Sequence, residues 1–173
     1  MSGASVQQLA NGVRVVAVPR PSLSRAHIFV QLRGGPAHED DSTWGMSHLV
    51  EHMLFRGADR FADVRALTLF ADDFGGEIGA MTYRDRVAYD TRVDPDRLSD
   101  ALGLLAGMIA RPRFRGLEVE RDIIEEEIAD LFDDDGNEVD VENAVATRVL
   151  AGHPLARSIE GTPASLRRVT RNR

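Results

Sequence analysis

The chain of 173 residues contains no cysteine. That excludes a disulfide framework and any thiolate metal site, so a bound metal would be held by His, Asp and Glu. Lysine is also missing: all 21 basic residues are arginine, a coding bias without mechanistic content. No apolar run approaches the ~18 residues of a membrane span. The N-terminal "MSGASVQQLANG" lacks the basic region and apolar core of a secretory signal, so a cytoplasmic location is expected. Positive charge is in deficit. A net charge of -7 argues against nucleic acid as the main partner. What remains is the composition of a folded domain, 43% hydrophobic and 28% charged, at a length that suits one domain. The first 35 residues carry Arg14, Arg20, Arg25 and Arg33 and no acid, whereas "EVERDIIEEEIADLFDDDGNEVDVE" is strongly acidic. Most carboxylates of such a run belong to a solvated helix face.

Periodicity divides the chain into elements. "SVQQLANGVRVVAVP" predicts a hairpin about Asn11-Gly12. Ala26, Ile28, Val30 and Leu32 alternate on one face of a further strand. Ser42 or Thr43 is expected to cap a helix over 44–55, and a second helix over 62–74 stops at Gly75-Gly76. "EIGAMTY" and "RVAYDTRV" read as two strands. Helices follow after Pro95, from Leu117 to about "DDDGN", and over 139–150. There is no internal repeat and no low-complexity linker. The order predicts an α+β fold, an antiparallel-rich sheet with helices packed on it.

"HLVEH", residues 48–52, concentrates the chemistry. On a helix, residues four apart share a face and i+3 lies close by, so His48, Glu51 and His52 would cluster. Two imidazoles suit zinc, with Glu51 better used as a base on the attacking water. A catalytic zinc wants a third protein ligand, and the acidic helix is the obvious source. His27 and His38 have no partner at ligand spacing, and His153 precedes Pro154 in an expected loop. Phe55, Phe70, Phe74 and Met81 are expected in the core.

Three segments, "GMSHLVEHMLFRG", "GGEIGAMTYRDRVAYDTRV" and "VERDIIEEEIADLF", occur in that order. Together they resemble the M16 metallopeptidases, the inverzincins with an H-x-x-E-H motif. The likeness is closest to the bacterial processing-peptidase-like members. It runs from the N-terminal hairpin to "HPLARSIEGTPASLRRVTR". The resemblance implies an M16-like (LuxS/metallopeptidase-like) half-domain with helices on one face of the sheet, and a zinc endopeptidase acting on peptides or unfolded small proteins. It implies one zinc per chain held by His48, His52 and Glu127, the last lying 75 residues beyond His52 and closing an "ERxxxxxE" pattern opened by Glu120-Arg121. Glu120 would orient a liganding histidine from behind, and Glu51 would be the catalytic base. Glu125 and Glu126 are expected on the solvated surface.

The resemblance further implies that the strand containing Gly79, Ala80, Met81 and Thr82 binds substrate as an added β-strand. Family members usually have Asn-Ala where this chain has Gly79-Ala80, and that removes a side-chain amide from the substrate backbone. Glycine there is otherwise explained by a bulge or a close backbone approach. Residues 1–173 would form a single, incomplete N-terminal peptidase domain without the homologous second half that usually encloses the chamber. A homo- or hetero-oligomer with a second M16-like half is therefore expected, with no nucleic acid and no membrane as partner. A non-catalytic scaffold subunit and an inactive remnant are the alternatives.

Overall fold

Strand alternation and helical periodicity each find the expected element. The structure, a computed structural model, describes residues 3–58, 60–73 and 77–170. A hairpin of β1 (Ser5–Gln8) and β2 (Arg14–Ala17) comes first, turned by Gly12 at φ 88°. Its valines are exposed, and it forms a two-stranded sheet of its own. The main sheet has the order β3-β5-β4, all antiparallel, from β3 (Ala26–Arg33), β4 (Ile78–Thr82) and β5 (Arg86–Val93). Side chains two apart share a face. Ile28, Val87, Tyr89 and Val93 therefore enter the core, whereas His27, Phe29 and Met81 stand on the open face.

The helices are α1 (Met46–Leu54), α2 (Val64–Asp73), α3 (Leu98–Ala110), α4 (Leu117–Asp130), α5 (Val141–Val149) and the short α6 (Pro163–Leu166). The first of two apolar clusters joins the inner sheet face to the end of α1, to α2 through Leu67 and Ala71, and to α3 through Ala101, Leu104, Leu105 and Met108. The second packs Leu49 and Met53 of α1 against Ile124 and Ile128 of α4, closed by Leu166 and Val169. α1 is thus wedged between both clusters, which fixes its rotation about its own axis. Among the described residues no helix is long and apolar enough to cross a membrane.

The cap expected for α1 is corrected. Ser42 and Thr43 are folded into a turn around Asp40, whose Oδ1 accepts from Ser42 N (2.8 Å), Ser42 Oγ (2.7 Å) and Thr43 N (3.1 Å). The residue at the N-cap is Gly45, in the left-handed region at φ 89°. A side chain there would put its Cβ 2.5 Å from the carbonyl oxygen of Glu160, and one at Gly161 would lie 2.6 Å from Trp44 O. Only two glycines let the C-terminal segment press so closely on the start of α1. Met81 is also corrected: it is 56% exposed, because its parity in β4 puts it on the open face. Phe55 and Phe70 do pack on the core, while Phe74 and the Gly75-Gly76 stop lie outside the described residues. The short α6, capped by Thr162 and Ser165 in a reciprocal box, escaped the periodicity reading because four residues carry no period.

Candidate metal centre

α1 and α4 build the site between them. His48 and His52, one turn apart on α1, stack edge to face with ring centroids 4.6 Å apart. On α4, Glu120, Ile124 and Glu127 recur at i, i+4 and i+7 and so face α1 together. One nitrogen each of His48 and His52 and one oxygen of Glu127 lie within 4.8 Å of one another, and among the described residues no other such trio of His, Asp and Glu occurs. His48 Nε2 stands 3.7 Å from Glu127 Oε2, and His52 Nε2 stands 3.8 Å from Glu127 Oε1. Those separations are too long for hydrogen bonds. They are near the edge of about 3.4 Å expected between two ligands of a tetrahedral zinc at normal bond lengths.

The electrostatics fit a cation as well. Burial, with His52 beside it, pushes His48 down to about 4, so at neutral pH it presents an uncharged imidazole with a free lone pair. Its Nδ1 is buried without a hydrogen-bond partner. Burial raises the Glu127 carboxyl above its ordinary value; His52 opposes the shift, and Glu160, Glu51 and Glu120 add to it. Neutral imidazole beside crowded acids is a donor set that a divalent cation would relieve. The residues present fit zinc.

Behind this trio, Glu120 is 5% exposed. Its Oε2 accepts from His52 Nδ1 at 3.0 Å, and its Oε1 accepts from Arg56 Nε. With Nδ1 carrying the proton, the Nε2 lone pair of His52 is turned toward Glu127. Glu51 lies one residue before His52, outside the trio. Its Oε2 accepts from Thr82 Oγ1 at 2.6 Å. Its charge also reaches the buried Tyr89, whose hydroxyl is raised above its ordinary value first by burial and then by Glu51.

The four residues of β4 divide by face. Thr82 is buried and spends its hydroxyl on Glu51. Ala80 packs against the core, whereas Gly79 and Met81 belong to the open face. No bulge occurs at Gly79, since the register with β5 is continuous. The close approach is real, however: a Cβ there would meet Asp90 Oδ1 at 2.6 Å. Asp90 Oδ2 pairs in turn with His27 Nε2 at 2.8 Å, so His27 has a structural partner. Glu125 departs from the expected solvated surface: its side chain is only 25% exposed, and it accepts two hydrogen bonds from Arg167, at 2.9 and 2.7 Å.

Three contacts were not read from the sequence. The contact between Thr82 and Glu51 had a signal, because alternation in β4 sends a lone hydroxyl inward toward α1. Arg56, which shares Glu120 with His52, lies one turn beyond His52 on the same side. Glu39, whose carboxylate accepts from Gly45 N and Ser47 N at the start of α1, lies too far upstream for any local capping pattern. Separately, a cleft of about 690 Å³ is lined by Trp44, Phe132, His153, Arg157 and their neighbours, and none of His48, Glu51, His52 or Glu127 lines it.

Residues 14–163 match the model of the insulinase family, peptidase family M16, and the chain belongs to that family. It is 33% identical over 168 residues to the "Probable mitochondrial-processing peptidase subunit beta, mitochondrial" of Arabidopsis thaliana, covering 96% of this chain and 31% of that one. It is 29% identical over 158 residues to the "Uncharacterized zinc protease YmxG" of Bacillus subtilis, covering 90% and 38%. The chain thus spans about a third of the length of these relatives. In fold it is similar to a protease from Helicobacter pylori and to a peptidase M16 inactive domain from Pseudomonas fluorescens. Each is superposed at a TM-score of 0.85 and 20% identity, over 99% and 98% of this chain and 41% of either partner.

Proposed function

We propose that the chain is the zinc-bearing part of an M16 metalloendopeptidase that hydrolyses peptides or unfolded small proteins. One observation carries the reading: three neutral or anionic donors from two helices converge on one point, and Glu51 is held beside them by Thr82. His48, His52 and Glu127 would hold one zinc, with Glu120 orienting His52. A zinc held there would supply Lewis acidity, polarising a peptide carbonyl and making a water easier to deprotonate near neutral pH. The chain's own part is proton handling. Glu51 takes the proton of the attacking water and passes it to the leaving amine. Thr82 holds one of its oxygens, leaving the other for the water.

Substrate would lie along β4. That strand pairs only with β5 among the described residues, so its other edge offers backbone donors and acceptors. Gly79, Ala80 and Met81 would contribute main-chain contacts, while Thr82 acts through Glu51. Relatives about three times as long, one of them named a subunit, support a second M16-like half completing the chamber. A non-catalytic subunit of the same fold has one observation behind it. At Gly79 no side chain reaches toward a substrate, and Asp90 fills the space above it.

The test is cleavage of fluorogenic peptides by the zinc-loaded chain, alone and together with a second M16-like half. Turnover that a chelator stops, and that Glu51→Gln lowers by roughly 10²-fold or more while zinc stays bound, supports the peptidase. Retention of zinc without turnover in either assembly supports the non-catalytic subunit instead.

A further inference from the structure

We infer that Glu39 is a positioning residue for the metal helix, fixing the angle at which α1 presents His48 and His52. The inference rests on the zinc reading above. α1 opens at Gly45, which has no side chain to cap it, and the first turn of a helix has backbone N–H groups without helical partners. Glu39, six residues upstream and half-buried, supplies them. Its Oε2 accepts from Gly45 N at 2.8 Å and its Oε1 from Ser47 N at 2.6 Å. Met46 N is satisfied by Thr43 O at 2.9 Å. One carboxylate thus clamps the two ends of the segment directly before His48, and its charge faces the positive end of the helix dipole.

Glu39 is itself anchored from distant sequence. Arg157 donates to its carbonyl oxygen at 2.9 Å and to Asp41 Oδ1 at 2.5 Å. Trp44 Nε1 donates to Ser158 O at 2.9 Å on the same segment. Ser47 Oγ in turn accepts from Gly35 N at 2.8 Å, joining the cap to the end of β3. The clamp is built from both sides and terminates one residue from His48. A shift of the first turn would move His48 relative to Glu127, which is fixed on another helix.

The experiment measures zinc affinity of the chelator-stripped chain by competition with a chromogenic chelator, and the visible spectrum of its cobalt(II) form. The variants are Glu39→Ala, Glu39→Gln, and Asp63→Ala as a control that removes a cap from α2, where Asp63 Oδ1 accepts from Ala66 N at 2.9 Å. Glu39→Ala is expected to bind zinc about tenfold more weakly and to alter the cobalt spectrum. Glu39→Gln, which keeps one acceptor oxygen, should recover part of the affinity and carries the same test if the alanine variant does not fold. Asp63→Ala should leave affinity unchanged. Wild-type affinity in both Glu39 variants, or an equal loss in Asp63→Ala, overturns the inference alone. A wild-type chain that binds no zinc overturns the zinc reading and this inference with it.

Discussion

Replacing Glu120 by alanine removes the one carboxylate that both His52 and Arg56 share. Glu120 is 5% exposed, so the vacated groups have little water to turn to. The Nδ1–H of His52, on a side chain 19% exposed, loses its acceptor, which costs about 1–3 kcal/mol. Arg56 is 30% exposed and can turn partly to solvent, so its loss is discounted to about 1 kcal/mol or less. A total of about 1–4 kcal/mol in a chain of this size lowers Tm by roughly 2–16 °C. The effect on metal is the more specific one. Without Glu120 the imidazole is free to rotate or change tautomer, and zinc affinity should fall 10- to 100-fold. Glu120→Gln keeps an oxygen for His52 and should recover most of the affinity, though less of the stability. Thermal melts in chelator, with competition titrations for zinc, read the two quantities separately. Glu120→Ala binding zinc as tightly as wild type would refute the argument that Glu120 orients His52.

Two further outcomes follow from neighbouring contacts. Thr82→Val keeps volume but removes the hydroxyl that holds Glu51, so kcat should fall about tenfold or more with zinc affinity unchanged; Thr82→Ser should restore much of it, and loss of zinc instead would assign Thr82 a merely structural role. In the metal-free chain, burial holds His48 at about 4, below its ordinary 6.5. The unfolded chain therefore binds the extra proton first, and the stability from neutral His48 is present above about 6.5 and lost as pH falls toward 4. Glu127, raised by burial, works in the opposite sense and softens the slope. Melts between pH 4 and 7 in chelator should show a steeper acid loss in wild type than in His48→Asn, and equal slopes would contradict the burial argument.

Much of the fold was legible because its signals are local. Alternation in "IGAMT" and "RVAYDTRV" gives β4 and β5, and the 3.6-residue period gives α3 and α4. The start of α1 was not legible, because its capping carboxylate comes from outside the helix while Ser42 and Thr43 are drawn into the turn at Asp40. The same division runs through the site. His48, Glu51 and His52 are a helical spacing and could be read directly. Glu127 is 75 residues away and came only through family resemblance, since nothing local says that α4 packs its 120/124/127 face on α1. Glu39 and Arg157 form their contact across the chain, where periodicity carries no information.

The central claim is one zinc per chain held by His48, His52 and Glu127. Native mass spectrometry of the purified chain, alone and with a second M16-like half, counts bound metal directly. One zinc is expected in wild type and in Glu51→Gln, and none at the same free-zinc concentration when His48, His52 or Glu127 is replaced by alanine. A wild-type chain that takes up no zinc in either setting, or a Glu127→Ala chain that retains it fully, would contradict the account.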